Sequence, residues 1–142
     1  MAWDNRQNPA KGRLFQEQVR QALTRRHGVE FFKEYPIKIG NPVKDHKFDL
    51  VSADSKYVVE CKAISWTETG NVPSAKMAFC NQAVFYLSHA PHTKKRMLVI
   101  QKNTHPRRQE TLAQYYKRIN QHLLTDIIVA EFNPRSGKFT EI

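Results

Sequence analysis

The sequence predicts an α/β fold with a mixed central sheet flanked by helices. Three observations predict it. Apolar residues recur at helical spacing in three stretches, and as β-branched runs or alternations in five others. These stretches follow one another as helix, strand, strand, strand, helix, strand, helix, strand, an α/β order. The 142 residues, 40% of them hydrophobic, suffice for one domain with one core and not for two. That domain is expected to fill residues 1–142, with residues 1–11, rich in Asn, Gln and Pro, as a flexible arm.

Residues 12–26 read as the first helix, because Phe15, Val19, Ala22 and Leu23 share one face and Gly28 ends it. Residues 29–39 form a strand in which Pro36 predicts an edge position or a bulge. Gly40, Asn41 and Pro42 break the chain, and residues 43–46 lead into a hairpin. The hairpin arms are residues 47–51 and 56–63, with residues 53–55 as the turn. Residues 65–73 are a polar connection holding Trp66, which either covers the core or stacks on a base. Residues 74–88 form the second helix, its buried side traced by Met77, Val84 and Leu87. A short apolar strand at 97–101 precedes a basic loop at 102–108. Residues 110–124 are a third helix with Leu112, Tyr116, Ile119 and Leu123 on one side. Residues 126–132 are the last strand, followed by a turn at 133–137 and a short tail.

The hairpin carries the chemistry. If Asp54 and Ser55 form a two-residue loop, Ala53 faces Lys56, and counting back along both arms puts Asp49 opposite Glu60. Opposed residues of an antiparallel pair have Cβ atoms about 4.5–5.5 Å apart, so two carboxylates there repel. A divalent cation between them removes the conflict, since Mg²⁺ and Mn²⁺ prefer hard oxygen ligands. Alternation puts Lys62 on the face of Glu60, with Cys61 on the other. A metal and an ammonium group together suit phosphodiester hydrolysis. The competing reading takes Asp49 and Glu60 as solvated strand charges paired with lysines. The hydrolytic reading requires the three groups to lie close together, with none sealed inside the packed interior.

Charge points the same way. Lys and Arg number 23 against 13 Asp and Glu, a formal net charge of +10 with pI ≈ 9.8. Such a balance favours a polyanionic partner, nucleic acid before an anionic membrane surface. Lys76, Lys94, Lys95, Arg96, Arg107 and Arg108 are the candidate phosphate contacts. No apolar run is long enough to span a bilayer, and there is no amino-terminal apolar leader. Cys61 and Cys80 form no CxxC pair, which argues against zinc; they read as packing residues of a cytoplasmic protein.

Asp49 followed by Glu60-Cys61-Lys62 resembles the motif of the PD-(D/E)XK nuclease superfamily, the restriction-endonuclease-like fold. The position before the aspartate, often proline in that family and widely variable, is Phe48 here. The resemblance covers roughly residues 12–132. It implies a metal-dependent endonuclease acting on DNA, with RNA an open alternative. Asp49, Glu60 and the backbone carbonyl of Cys61 would hold Mg²⁺ or Mn²⁺, and Lys62 would orient water or stabilise charge on the phosphorane. Family members often carry a glutamate on the first helix; the spacing to Val19 and Leu23 puts Gln16 there, with Glu17 nearly opposite the apolar face. Either Gln16 replaces the acid or Glu17 supplies it after a local shift. Gln82 and Tyr86, four apart on the second helix, resemble an extra motif of the RecB-like branch and would position substrate or water. His46 is a further accessory candidate. A small chain without a separate recognition domain points to recognition by DNA structure or through a partner, a homodimer cutting two strands being one form. The alternative within the fold is a nucleic-acid-binding module that does not hydrolyse.

Overall fold

The computed structural model describes residues 9–142. Helix α1 (Pro9–His27) is followed by strands β1 (Phe31–Ile39), β2 (Lys44–Ser52) and β3 (Tyr57–Lys62). Then come α2 (Ser74–His89), β4 (Lys95–Gln101), α3 (Leu112–Asn120) with a 3₁₀ turn, β5 (Ile127–Phe132) and β6 (Phe139–Glu141). The strands form one mixed sheet in the order β1-β2-β3-β4-β5-β6. The β3–β4 and β4–β5 pairs are parallel and the others antiparallel. The expected α/β class holds, with a mixed sheet between helices.

Helices cover both faces, so the central strands are apolar on both. On one face Phe15, Val19, Ala22 and Leu23 of α1 pack against Phe31, Leu50, Val59, Met97, Val99 and Phe132. On the other, α2 and α3 contribute Met77, Cys80, Ala83, Leu87, Leu112 and Tyr116 against Phe48, Val51, Val58, Leu98, Ile100 and Val129. Neighbouring residues of β3 and β4 thus enter opposite cores, as strand alternation requires.

Several boundaries differ from the expectation for local reasons. Helix α1 starts at Pro9, so residues 9–11 of the expected arm are helical; proline suits a first helical turn, where its missing N–H is not needed. Residues 1–8 of that arm lie outside the described residues. The tail after residue 137 pairs with β5 as a sixth strand, because the turn ending at Gly137 (φ 74°) returns the chain antiparallel. The buried side of α2 includes Ala83, with Val84 only partly covered. Helix α3 is shorter than expected and buries Leu112, Ala113 and Tyr116, while Ile119 and Leu123 are exposed. Its start is fixed by a capping box between Thr111 and Gln114. No helix among the described residues is long and apolar enough to cross a membrane.

Candidate active site

The site forms where regular alternation fails. Val51 belongs to the core under α2 and Leu50 to the core under α1, yet Phe48 lies under α2 again. Residues two apart in a strand normally share a face. Strands β1 and β2 therefore exchange faces together between the pairs Lys33↔Leu50 and Tyr35↔Phe48. The two residues spanning that step are Glu34 and Asp49, and Glu34 has φ 52°, the left-handed region. Pro36 predicted an edge or bulge; β1 is an edge strand, and the distortion lies two residues earlier.

The β2–β3 ladder runs through Val51↔Val58 and Leu50↔Val59, and one further step puts Asp49 opposite Glu60, as the hairpin count required. There the pairing changes character. The backbone N–H of Cys61 donates to Asp49 Oδ2 at 2.8 Å, so a side chain replaces a ladder carbonyl. The Asp49 carbonyl instead accepts from Gln16 Nε2 of α1, also at 2.8 Å. Gln16 is buried, and its amide nitrogen also donates to Glu34 Oε1 at 3.2 Å. The turn residues Ser52 and Asp54 fix the hairpin by local bonds: Ser52 Oγ donates to Asp54 and accepts from Tyr57 N–H.

Asp49, Glu60 and Lys62 line one cleft of ≈ 250 Å³ with His46, Lys47, Gln82, Ala83 and Tyr86. Glu60 is only 6% exposed, but it faces this cleft and is not sealed in the core. That burial rules out a solvated surface charge. Its pKa is pushed up to about 10, first by burial, then by the Asp49 charge and contact with the Asp49 carboxyl; Lys62 opposes the shift. Glu34 adds to the repulsion from β1. His46 Nε2 stands 3.6 Å from Glu60 Oε1, and its ring stacks on Tyr86 with centroids 3.8 Å apart. Burial keeps the His46 imidazole below its usual pKa, with Asp49 opposing. Gln82 and Tyr86 share a face of α2, as the four-residue spacing predicted, and both line the cleft.

Other candidates lie elsewhere. Glu17 is on the helix surface, ion-paired with Arg20 at 2.6 Å and Lys33 at 3.2 Å, so Gln16 and not Glu17 meets the hairpin. The Arg20 hydrogen bond chiefly holds the Glu17 carboxyl down to about 2. Arg96 is 1% exposed and donates to the Leu87 carbonyl at the end of α2, so it cannot bind a phosphate on the surface. Lys94 bonds the Ser55 carbonyl in the hairpin turn, and Lys95 pairs with Tyr57. Both lie beside the start of β3, whereas Lys62, at the other end of that strand, pairs with Ile100. At about 3.3 Å per residue that separation is roughly 16 Å. Trp66 is 1% exposed and covers the core, which excludes base stacking by its ring. Lys76 lies in the first turn of α2, its ammonium 5.7 Å from the Phe79 ring centre. Arg108 is tied to Glu110, while Arg107 is exposed beside Gly70.

Glu34 was missed by the sequence reading. Its signal was present: pairing Ile39 with Lys44 across the loop at 40–43 sets Glu34 opposite Asp49. Three acids thus follow one another across β1, β2 and β3. Among the described residues no three His, Cys, Asp or Glu side chains form a group arranged to hold a metal. The donor set near the cleft is two carboxylates of β2 and β3, which fits a cation that takes one or two carboxylates and keeps its waters, as Mg²⁺ does. No protein-family model, curated protein or solved structure matches the chain.

Proposed function

We propose that the protein is a metal-dependent endonuclease hydrolysing DNA phosphodiester bonds, on a restriction-endonuclease-like arrangement of its α/β sheet. The observation that carries the reading is a buried carboxylate, Glu60, opposed by Asp49 and accompanied by Lys62 in one open cleft. Folding buries the Glu60 carboxyl beside that of Asp49 at a cost, and an ion-binding site gives that cost a purpose. The resemblance of Asp49 and Glu60-Cys61-Lys62 to the PD-(D/E)XK motif supports the same reading.

Asp49 Oδ1 and the Glu60 carboxylate, with the Cys61 carbonyl, would hold Mg²⁺ or Mn²⁺; Asp49 Oδ2 is committed to the Cys61 N–H. When bound, such an ion polarises a phosphate and acidifies water. Gln16 grips the backbone of Asp49 and so fixes its carboxylate against β3. Lys62 brings a positive charge to the cleft, where it attracts the phosphate and offsets charge developing on its oxygens. Gln82 offers an amide for positioning substrate or water, and the His46–Tyr86 stack walls one side. The net charge of +10 draws the DNA backbone, so binding should fall steeply with salt.

The test is incubation with Mg²⁺ and a panel of linear duplex, single-stranded, flapped and four-way-branched DNA. Cleavage that disappears in Asp49→Ala and Lys62→Ala, with circular dichroism unchanged, is the expected result. Undiminished cleavage by purified Lys62→Ala protein overturns it. One observation favours a binding module without hydrolysis: Gln16 is a neutral amide where the resembled family often has an acid. Calorimetry separates the two, since a nuclease must bind Mn²⁺ and an inert module need not.

A further inference from the structure

The exchange of faces in β1 has a second consequence, on the outer side of the acidic row. Phe32 and Tyr35 are three residues apart, so a regular strand would send them to opposite faces. The left-handed Glu34 between them puts both on one side, and their rings stack with centroids 5.8 Å apart and planes 26° apart. Both are partly open to solvent, at 38% and 42%. Their cross-strand partners identify the side. Phe32 pairs with Val51 and Tyr35 with Phe48, both in the core under α2. That is the sheet face on which Glu60 meets Gln82 and Ala83 of α2. Val51 and Phe48 bracket Asp49, so the ring pair sits one strand outward from Asp49, a step of about 4.8 Å.

We propose that Phe32 and Tyr35 form a stacking platform for unpaired bases, which directs the cleft to DNA with single-stranded character: flaps, branches or single strands. The inference rests on the nuclease reading for the nature of its ligand. The occupant follows from two features. Paired rings offer flat apolar surface that any unstacked base can cover, whereas bases stacked in a duplex are not available to it. The same hairpin carries exposed Lys44 and Lys47; Lys47 lines the cleft and pairs with Pro36, the residue after Tyr35, so a cation for a strand backbone lies within one residue of the ring pair along the strand. Aromatic rings interleaved with cations are the usual makeup of single-strand sites. Edge position matters too: among the described residues no strand pairs with β1 on its outer side.

The experiment is fluorescence anisotropy in EDTA, with labelled single-stranded, flapped and fully duplex DNA of equal length. Wild type should bind the first two more tightly than the duplex. Phe32→Ala and Tyr35→Ala should each weaken single-strand and flap binding about 10-fold and duplex binding less than about 3-fold. Phe32→Tyr and Tyr35→Phe should retain wild-type binding, which separates stacking from loss of fold. Equal losses on all three DNAs, no loss on any, or a wild-type preference for duplex would each overturn the proposal. So would a change of oligomeric state in the alanine variants, which would make this edge a contact between copies. Because no metal is present, a protein that binds as described but never cuts retains the platform and loses the nuclease reading. One that cuts while indifferent to the rings does the reverse.

Discussion

Replacing Glu60 by glutamine should stabilise the metal-free protein. Glu60 is 6% exposed and meets the Asp49 carboxyl across the hairpin, with Glu34 adding like charge. Its pKa rises from 4.5 in the unfolded chain to about 10 in the folded one. A raised folded value means that its contribution to stability is full below pH 4.5 and is lost as pH rises towards about 10. At pH 7 the folded protein escapes the repulsion by keeping the proton, which caps the penalty. The gap from 4.5 to 7 is about 2.5 pH units, at about 1.4 kcal/mol each, so the ceiling is roughly 3 kcal/mol. The amide of Glu60→Gln must still find acceptors, so the expected gain is about 1–3 kcal/mol at pH 7 and close to nothing at pH 4.5. Urea denaturation in EDTA across that range measures it. Adding Mg²⁺ at ten times its dissociation constant should then return about 1.4 kcal/mol to wild type and little to the variant. A variant no more stable than wild type at pH 7, or one whose advantage does not shrink with acid, would refute the account of a strained acidic pair.

Four further outcomes follow from the geometry. Lys62→Ala should reduce cleavage about 10²–10³-fold while Mn²⁺ binding by calorimetry persists. Gln16→Ala removes the donor to the Asp49 carbonyl and should cost about 1–2 kcal/mol in urea; Gln16→Glu should cost more, since a carboxylate cannot donate there and adds charge beside Glu34. Gly70→Ala should lower the thermal midpoint: φ is 88°, and the added Cβ would lie 2.7 Å from Arg107 Nη2 and 2.8 Å from His105 Nε2, the atom that bonds the Gly70 carbonyl. Glu17→Gln should leave cleavage unchanged. Its pKa is lowered to about 2, so whatever stability Glu17 adds is present above about pH 4.5 and fades as acid approaches pH 2, and an exposed pair makes that small.

The hairpin was legible in the sequence because its register depends only on the turn. Once Ala53 faces Lys56, Asp49 must meet Glu60, and alternation settles the side of Lys62. That Gln82 and Tyr86 share a helix face was legible for the same kind of reason, since helical spacing is local. Gln16 could be placed by its angle to Val19 and Leu23. Glu34 was harder: it requires carrying the register through a second hairpin and noticing that the acids continue into the edge strand. The fate of the basic residues was not legible, because composition does not say where a charge lies. Arg96 looks like its neighbours Lys94 and Lys95, yet strand alternation turns it inward under the end of α2. Leu123 continues the helical stripe of α3, but the helix gives way to a 3₁₀ turn at Gln121, where the angular spacing changes and the stripe leaves the core.

The exchange of faces also accounts for how the acids are held. Phe48 and Leu50 are both fully buried, one under each helical layer, so Asp49 between them cannot slide toward either core without pulling a large apolar side chain out. Removing such a residue from a core costs several kcal/mol, about 2–5 for Leu→Ala. That is comparable to the ceiling on the Glu60 penalty, so the packing can hold the two carboxyl groups in opposition without assistance from an ion. Gln16 and the Cys61 N–H then leave Asp49 little rotational freedom. On the metal-dependent reading, a cation arriving at the cleft would meet side chains already placed, and would have to displace the Glu60 proton but not to order the groups that hold it. The position of Glu34 in a strained conformation fits this logic: the edge strand must reverse with β2, and the left-handed residue at that step is where the reversal is concentrated.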